Sequence, residues 1–430
     1  MTARQTALSL LLKWEQRDGF ANLLLSDRLL AEAGEEAGFL TALFYGTVER
    51  RLTLDYWIGA LSDRSLEDIS LGVKCILRLG LYQLLYMKIP PHAAVSQTVS
   101  LAKDRGERGF INAVLRRADR QRDAMPLPPS SKRARYLSVA HSIPQGTVRR
   151  LLALYGEETE ALLASFNEVK PLTLTARSRE VREKLLAHFA RDGIRAERAR
   201  YSPLSLRVTD SVAPTSLYGF REGLFLVQDE ASAIAALALD PQRGDTLIDV
   251  CAAPGGKTMC AALLCEGEGE FYAFDLHESK LSLIRDTAAR LSLPIQTEAV
   301  DATEGREALF GRADRVICDV PCSGLGVLGK KPDLRYREVS EELSSLGYRI
   351  LCASARYVRT GGVLLYSTCT LTNEENRDNV LRFIAEHADF TLEDFAVEDT
   401  ERVESEGGML TLLPTRHGTD GFFMAKLRKK

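Results

Sequence analysis

The first 125 residues place apolar side chains at helical spacing. In ISLGVKCILRLGLYQLLYM, Ile69, Val73, Ile76, Leu77, Leu84 and Leu85 share one helical face. In TALFYGTVERRLTLDYWIGAL, Leu43, Phe44, Val48, Leu52 and Ile58 do the same. Pro90-Pro91 breaks the helix before it, because proline lacks the amide proton a helix needs. MPLPPSSK, residues 125 to 132, is rich in proline and serine and marks a linker. The period then shortens. LTLTAR (172–177) alternates as a strand, REVREKLLAHFARDG (179–193) is an amphipathic helix ending at Gly193, and residues 194–208 supply one or two short strands. This predicts a small, RRM-like α+β module.

From about Leu224 strands and helices alternate. TLIDV (246–250), FYAFD (271–275), RVICDV (315–320) and GGVLLYST (361–368) are apolar, strand-length runs, and IQTEAV (295–300) is a possible further strand. SKLSLIRDTAARL and a segment around 343–359 are helical between them. Such alternation predicts a doubly wound α/β, Rossmann-like sheet. The expected organisation is multidomain: all-α residues 1–125, linker helices 126–165, the small α+β module 166–223, and an α/β domain 224–430.

Composition changes this picture little. The chain has 430 residues, 45% hydrophobic and 27% charged, which is ordinary for a soluble globular protein. No apolar run reaches the roughly 18 residues of a membrane span. The N-terminus reads as an amphipathic helix and not as a signal peptide, so a cytoplasmic monomer without membrane contacts is expected. The eight cysteines include no CxxC, and no histidine stands at zinc spacing, so neither a disulfide framework nor a metal site is expected.

Local charge matters more. Net charge is −3, yet Lys103 to Arg135 carries ten basic and four acidic residues, and Arg177 to Arg207 nine and four. Both tracts can be solvated helical faces or phosphate contacts. The acidic run Glu393 to Glu406 offsets them globally without having to do so locally.

The most informative run is DVCAAPGGKT, Asp249 to Thr258, at the carboxyl end of the first strand, where open α/β sheets bind ligands. A Walker A loop needs glycine six residues before the lysine, and that position is Cys251. Ala253-Pro254-Gly255-Gly256 does not supply GxGxxG. A loop for S-adenosyl-L-methionine remains, with Asp275 at the end of the second strand able to accept from ribose hydroxyls. Asp301 can accept from the adenine amino group or cap the next turn.

DVPCSGLG (319–326) follows another strand, and STC (367–369) ends the next. Two cysteines thus meet one sheet edge beside the loop. C5 of cytosine is too weak a nucleophile to take a methyl group directly. Thiolate addition at C6 makes C5 enamine-like, and a base must later remove the C5 proton. One cysteine can attack and the other can serve release. Asp319 can hold the N3/N4 edge of the base.

At these residues the sequence resembles the NOL/NOP/Sun family of RNA 5-methylcytosine methyltransferases. The matching motifs are LFLVQDEAS (224–232), DVCAAPGGKT, DVPCSGLG, KKPDLRY (330–336), YSTCTLTNEEN (366–376) and HGTDGFFMAKL (417–427). The N-terminal half resembles a NusB-like RNA-binding domain through GFANLLL, FLTALFYGTVERR, ILRLGLYQLLY, IPPHAAVSQTVSLAK and GFINAVLRR. The resemblance implies Cys369 as nucleophile and Cys322 in product release, with Asp319 and Lys257 in the catalytic set. It implies cofactor contacts from Cys251, Ala252, Ala253, Pro254, Gly255, Gly256, Lys257, Asp275, Asp301 and Asp319. With its NusB-like half the chain resembles the bacterial members of this family, which implies 16S ribosomal RNA, free or in an early assembly particle, as substrate and cytosine 967 as target. HSIPQGTVRRLLALYG (141–156) departs from the His-Pro-x-Trp run of many relatives. Two other readings are a DNA cytosine methyltransferase, with Cys322 as nucleophile, and a non-catalytic RNA-binding factor. The same chemistry on transfer RNA or 23S ribosomal RNA is a further alternative.

Overall fold

The computed structural model describes residues 1–17, 21–337 and 339–430. Gly19 and Phe20 of the GFANLLL motif lie outside them. The chain forms two compact units. One comprises Met1–Glu168 with Leu328–Glu338, the other Val169–Val327 with Val339–Lys430.

The first unit is helical. Its helices include Ala37–Glu49, Arg51–Leu61, Leu71–Leu85, Pro91–Val99 and Arg105–Arg120. Starts are set by side chains that accept orphan amide protons. Ser70 accepts from the Val73 amide and Asp104 from the Glu107 amide. The apolar face predicted through residues 41–61 is divided at Arg50, whose ψ of 12° ends one helix before the next begins. Leu54, Trp57, Ile58, Leu77, Leu81 and Leu115 form one core. Leu43, Phe44 and Val48 line another. Within 126–165 stand three further helices, Arg133–His141, Gln145–Tyr155 and Glu158–Ser165. The Pro/Ser-rich stretch is tied down where Pro126 O accepts from Trp57 Nε1 at 2.9 Å.

Sequence order assigns KKPDLRY to the 224–430 domain, but Leu328–Glu338 packs with the helical unit. Arg335 is wholly buried there. Its guanidinium donates to Phe166 O at 2.6 Å and Asn167 Oδ1 at 2.7 Å. Tyr336 donates to Val48 O at 2.7 Å. A buried cation satisfied by carbonyls leaves no periodic signature in the sequence.

The second unit holds all fourteen strands identified among the described residues. β1 (Leu172–Ala176), β2 (Ala196–Arg198), β3 (Ser205–Val208) and β4 (Phe225–Val227) form an antiparallel sheet in the order β2-β3-β1-β4. The boundary expected at 223/224 cuts this sheet, because Leu174 of β1 pairs with Val227 of β4. The helix Arg179–Arg191 packs on it through Leu185 and Phe189.

β5 (Thr246–Asp249), β6 (Glu270–Asp275), β7 (Ile295–Ala299), β8 (Ala313–Asp319) and β9 (Val358–Thr368) are parallel neighbours in the order β9-β8-β5-β6-β7. The apolar runs of β5, β8 and β9 suit strands covered on both faces, whereas the edge strand β7 is polar and largely exposed. β10 (Phe390–Leu392), the hairpin β11 (Ala396–Glu398) and β12 (Arg402–Glu404), β13 (Met409–Leu412) and β14 (Phe422–Lys429) follow. β14 is antiparallel and extends the main sheet from β9, so that sheet is mixed. The helix expected around 343–359 ends earlier, at Ala355, and Val358 already belongs to β9.

Candidate active site

Strand order reverses at β5, which has β6 on one side and β8 on the other. Open α/β sheets leave a crevice at the carboxyl ends of such strands. The predicted site residues of the second unit gather there. Asp249 ends β5 and is buried. It accepts from Thr258 Oγ1 at 2.6 Å. Burial pushes its carboxyl up to about 7, against the pull of the Thr258 hydroxyl.

The loop then runs through Cys251 and Ala252, whose amide donates to Phe274 O at 2.7 Å. A cis Ala253–Pro254 bond follows. Gly255 has φ of +100°, a conformation open at little cost only to glycine. Gly256 opens the helix Gly256–Leu264. Burial holds the Cys251 thiol well above its ordinary range.

Lys257 Nζ lies 2.7 Å from Asp319 Oδ2 and 5.0 Å from the centre of the Phe422 ring. Burial pulls the ammonium down, but the adjoining Asp319 carboxylate outweighs it and raises the group overall. The other oxygen of Asp319 accepts from Ser367 Oγ at 2.7 Å, across the β8–β9 register. Just beyond, Cys322 Sγ and Cys369 Sγ are 3.4 Å apart. The contact with Cys369 and then burial push the Cys322 thiol well above its ordinary range.

Asp275, at the end of β6, is largely buried and accepts from the His277 amide at 3.0 Å. Lys280 Nζ is 3.5 Å from the same oxygen. Asp301 follows β7 and is exposed. Its Oδ1 accepts from the Thr303 amide at 2.8 Å and hydroxyl at 2.6 Å, which lowers its pKa. In this conformation it serves as the turn cap.

Motifs alone do not reveal what fixes the two cysteine loops. Glu375 is buried and accepts from Ser323 N at 2.8 Å, Ser323 Oγ at 2.6 Å and Thr372 Oγ1 at 2.9 Å. Asn376 accepts from Thr368 Oγ1 at 2.6 Å and donates to Thr370 O at 3.0 Å. Gly326 N donates to Cys369 O at 2.9 Å, and Gly421 N to Gly326 O at 2.9 Å. A Cβ on Gly326 would stand 1.9 Å from Gly421 O, so only glycine fits. The one signal in the sequence is the polar run Asn373-Glu374-Glu375 after STC, and such runs at helix starts are ordinarily solvated.

Gln228, just past β4, lies within LFLVQDEAS, a motif to which the sequence assigns no site residue. Among the described residues, its Nε2 and Oε1 are the buried side-chain atoms without a hydrogen-bond partner. Its amide nitrogen lies 3.4 Å from where a Cβ on Gly256 would be. No helix among the described residues is long and apolar enough to cross a membrane.

A Rossmann-like sheet with a glycine turn at its switch point and an acidic residue ending the next strand is the site of an adenine-nucleoside cofactor, and the family match makes it that of an S-adenosylmethionine-dependent methyltransferase. The family described as 16S rRNA methyltransferase RsmB/F matches residues 236–428, and the NusB family matches 1–120. A probable ribosomal RNA small subunit methyltransferase B of Bacillus subtilis (strain 168) is 35% identical, covering 100% of this chain and 99% of its own. The ribosomal RNA small subunit methyltransferase B of Pseudomonas putida is 33% identical over 92% of this chain and 91% of its own. A solved structure described as that of PH0851 matches with a TM-score of 0.81 at 25% identity, covering 100% of this chain and 99% of that one. The chain belongs to the RsmB/F family of RNA methyltransferases.

Proposed function

We propose that this enzyme methylates C5 of a cytosine in 16S ribosomal RNA, through a covalent adduct to Cys369. The observation that carries the reading is the thiol pair. Cys322 and Cys369, from the ends of adjacent strands, stand 3.4 Å apart beside the Lys257–Asp319 ion pair.

The residues around the switch point fit S-adenosyl-L-methionine. The main chain from Cys251 through Ala252, Ala253, Pro254, Gly255 and Gly256 to Lys257 would cradle the amino-acid part, with a helix N-terminus behind it. Asp275 would accept from the ribose and Asp301 from the adenine edge once it leaves Thr303. The unsatisfied Gln228 amide beside Gly256 is a buried polar group of the kind that a bound molecule satisfies. When bound, the cofactor supplies a methyl group on a sulfonium.

Cys369 adds as the thiolate to C6, and the electron pair of the C5–C6 double bond becomes available at C5. Asp319, held by Lys257 and Ser367, orients the N3/N4 edge. The cofactor, held by the main chain from Cys251 to Lys257 and by Asp275, would supply the methyl group that C5 accepts. Cys322 then takes the C5 proton, the double bond reforms, and Cys369 leaves as thiolate. Cytosine 967 is the proposed target. The NusB-like half contributes RNA affinity, and the enzyme works as a cytoplasmic monomer.

Two variants test this. Cys369→Ser abolishes both methyl transfer and protein–RNA conjugate. Cys322→Ser still adds and methylates but stalls, so conjugate accumulates on a denaturing gel when cofactor and RNA are both present. Conjugate in Cys369→Ser and none in Cys322→Ser would reverse the roles and favour the DNA-methyltransferase arrangement.

A further inference from the structure

The proton of the thiol pair has two possible owners, and the surroundings differ for each. Cys369 shares the pocket with the Lys257 ammonium, whose raised pKa includes attraction to the Cys369 sulfur. Cys322 instead adjoins the Glu375 network, since the next residue, Ser323, gives both its amide and its hydroxyl to that carboxylate. Among the charged groups that face the pair, Asp319 is matched by Lys257, and Asp249 lies behind it, hydrogen-bonded to Thr258. Glu375 therefore disfavours charge on Cys322, and Lys257 favours it on Cys369.

We infer that, before RNA binds, Cys322 holds the proton and donates it as an S–H hydrogen bond to a Cys369 thiolate 3.4 Å away. This assigns Cys322 a positioning role ahead of its part in product release, and it rests on the proposed reading of Cys369 as nucleophile. A thiol that donates to a neighbouring thiolate lowers that neighbour's pKa and raises its own, and thiolates of Cys-x-x-Cys sites are depressed below an ordinary thiol. The direction found for Cys322, well above an ordinary thiol with Cys369 as its first cause, is the other half of the same hydrogen bond.

The arrangement also orders the two roles in time. While Cys369 is charged, it keeps Cys322 protonated and unable to act as a base. Once the C6–S bond forms, Cys369 is a neutral thioether and its hold on that proton ends. Cys322 releases the proton to water, becomes a thiolate, and can then remove the proton from C5. The same contact that charges the nucleophile thus keeps the base inactive until addition has occurred.

The test needs neither RNA nor cofactor. The full-length protein is alkylated with iodoacetamide across a pH series, and modification of Cys369 is followed by peptide mass spectrometry. The wild type gives a midpoint for Cys369 below that of an ordinary thiol, about 8.5. Cys322→Ala raises that midpoint by about one unit, so alkylation near pH 7 slows by about tenfold while the rate near pH 10 is unchanged. Cys322→Ser retains a donor and stays within about threefold of wild type, a rescue that a packing role would not give. An unchanged midpoint in Cys322→Ala, or equal shifts in both variants, overturns the inference. Should Cys322→Ala fail to fold, thiolate absorbance in the otherwise wild-type chain decides. A thiolate near neutral pH that vanishes in Cys369→Ser supports the pairing, and its absence overturns it. Because alkylation requires no methyl transfer, a failed thiol pairing is distinguishable from a failed RNA methyltransferase reading.

Discussion

Two stretches of this chain look alike as sequence and differ as structure. Residues 103–135 and 177–207 each carry a surplus of basic side chains. In the first, Lys103, Arg105, Arg108, Arg116 and Arg120 lie on and just before the helix Arg105–Arg120, at its solvent side. Its ion pairs are peripheral, such as Arg122 with Asp119 and Arg117 with an exposed Asp63. In the second, most of the charge is paired with acids. Arg182 is buried against Asp399, which also meets Arg179. Arg200 pairs with Glu401, Arg207 with Glu230, Arg195 with Asp210 and Arg198 with Glu183. Asp399 and Glu401 come from the acidic run Glu393 to Glu406, for which sequence required only a global offset. It acts locally, because the β11–β12 hairpin delivers it to the small module. A window of sequence counts charges; only topology says which have partners far along the chain.

The largest effect should come from breaking the second region. Asp399→Ala leaves the buried Arg182 guanidinium with only the partly exposed Glu183 as a carboxylate partner, a loss of about 3 kcal/mol. The urea midpoint of unfolding falls accordingly. The double change Arg182→Met with Asp399→Leu should recover most of that stability, since removing both buried charges costs far less than removing one. If the single variant is as stable as wild type, the pairing is solvated and the two regions are not different.

A smaller effect distinguishes them as RNA surfaces. Changing Arg116 and Arg120 to glutamine should flatten the slope of log affinity against log salt by about 0.7–0.9 for each phosphate no longer bound. The matching change of Arg195 and Arg198, already bound to Asp210 and Glu183, should leave the slope within error. Equal slopes for both doubles would return the first tract to a solvated face.

Legibility in the sequence follows the same division between local and distant. Strands β5, β6, β8 and β9 are legible because apolar runs end in acids and small residues. The loop from Asp249 to Lys257 is legible because glycines, lysine and acid coincide. β10, β13 and β14 are not, since their place beside β9 depends on a long return of the chain and not on a local period. Within the site, both cysteines announce themselves at strand ends, whereas Glu375 and Gln228 do not. A buried glutamate reads as a surface residue until the loops that satisfy it are assembled around it. Arg335 escapes for the same reason, its partners apart from Leu328 O lying 168 or more positions away.

The smallest effect concerns the start of the acidic run. Glu393 binds Arg428 and Lys426, both on β14, and donation from Arg428 holds its carboxyl down to about 2. A folded pKa below the unfolded value of about 4.3 means stability that is present above about pH 4.3 and lost as pH falls toward about 2. The carboxylate is 29% exposed, so screening reduces its worth to about 1 kcal/mol. Glu393→Gln should therefore be less stable than wild type near neutral pH by that amount and equal to it in strong acid. Urea midpoints under the two conditions measure the difference. A gap that persists in acid would mean that Glu393 acts through packing, and that the acidic run serves as an electrostatic partner only at Asp399 and Glu401.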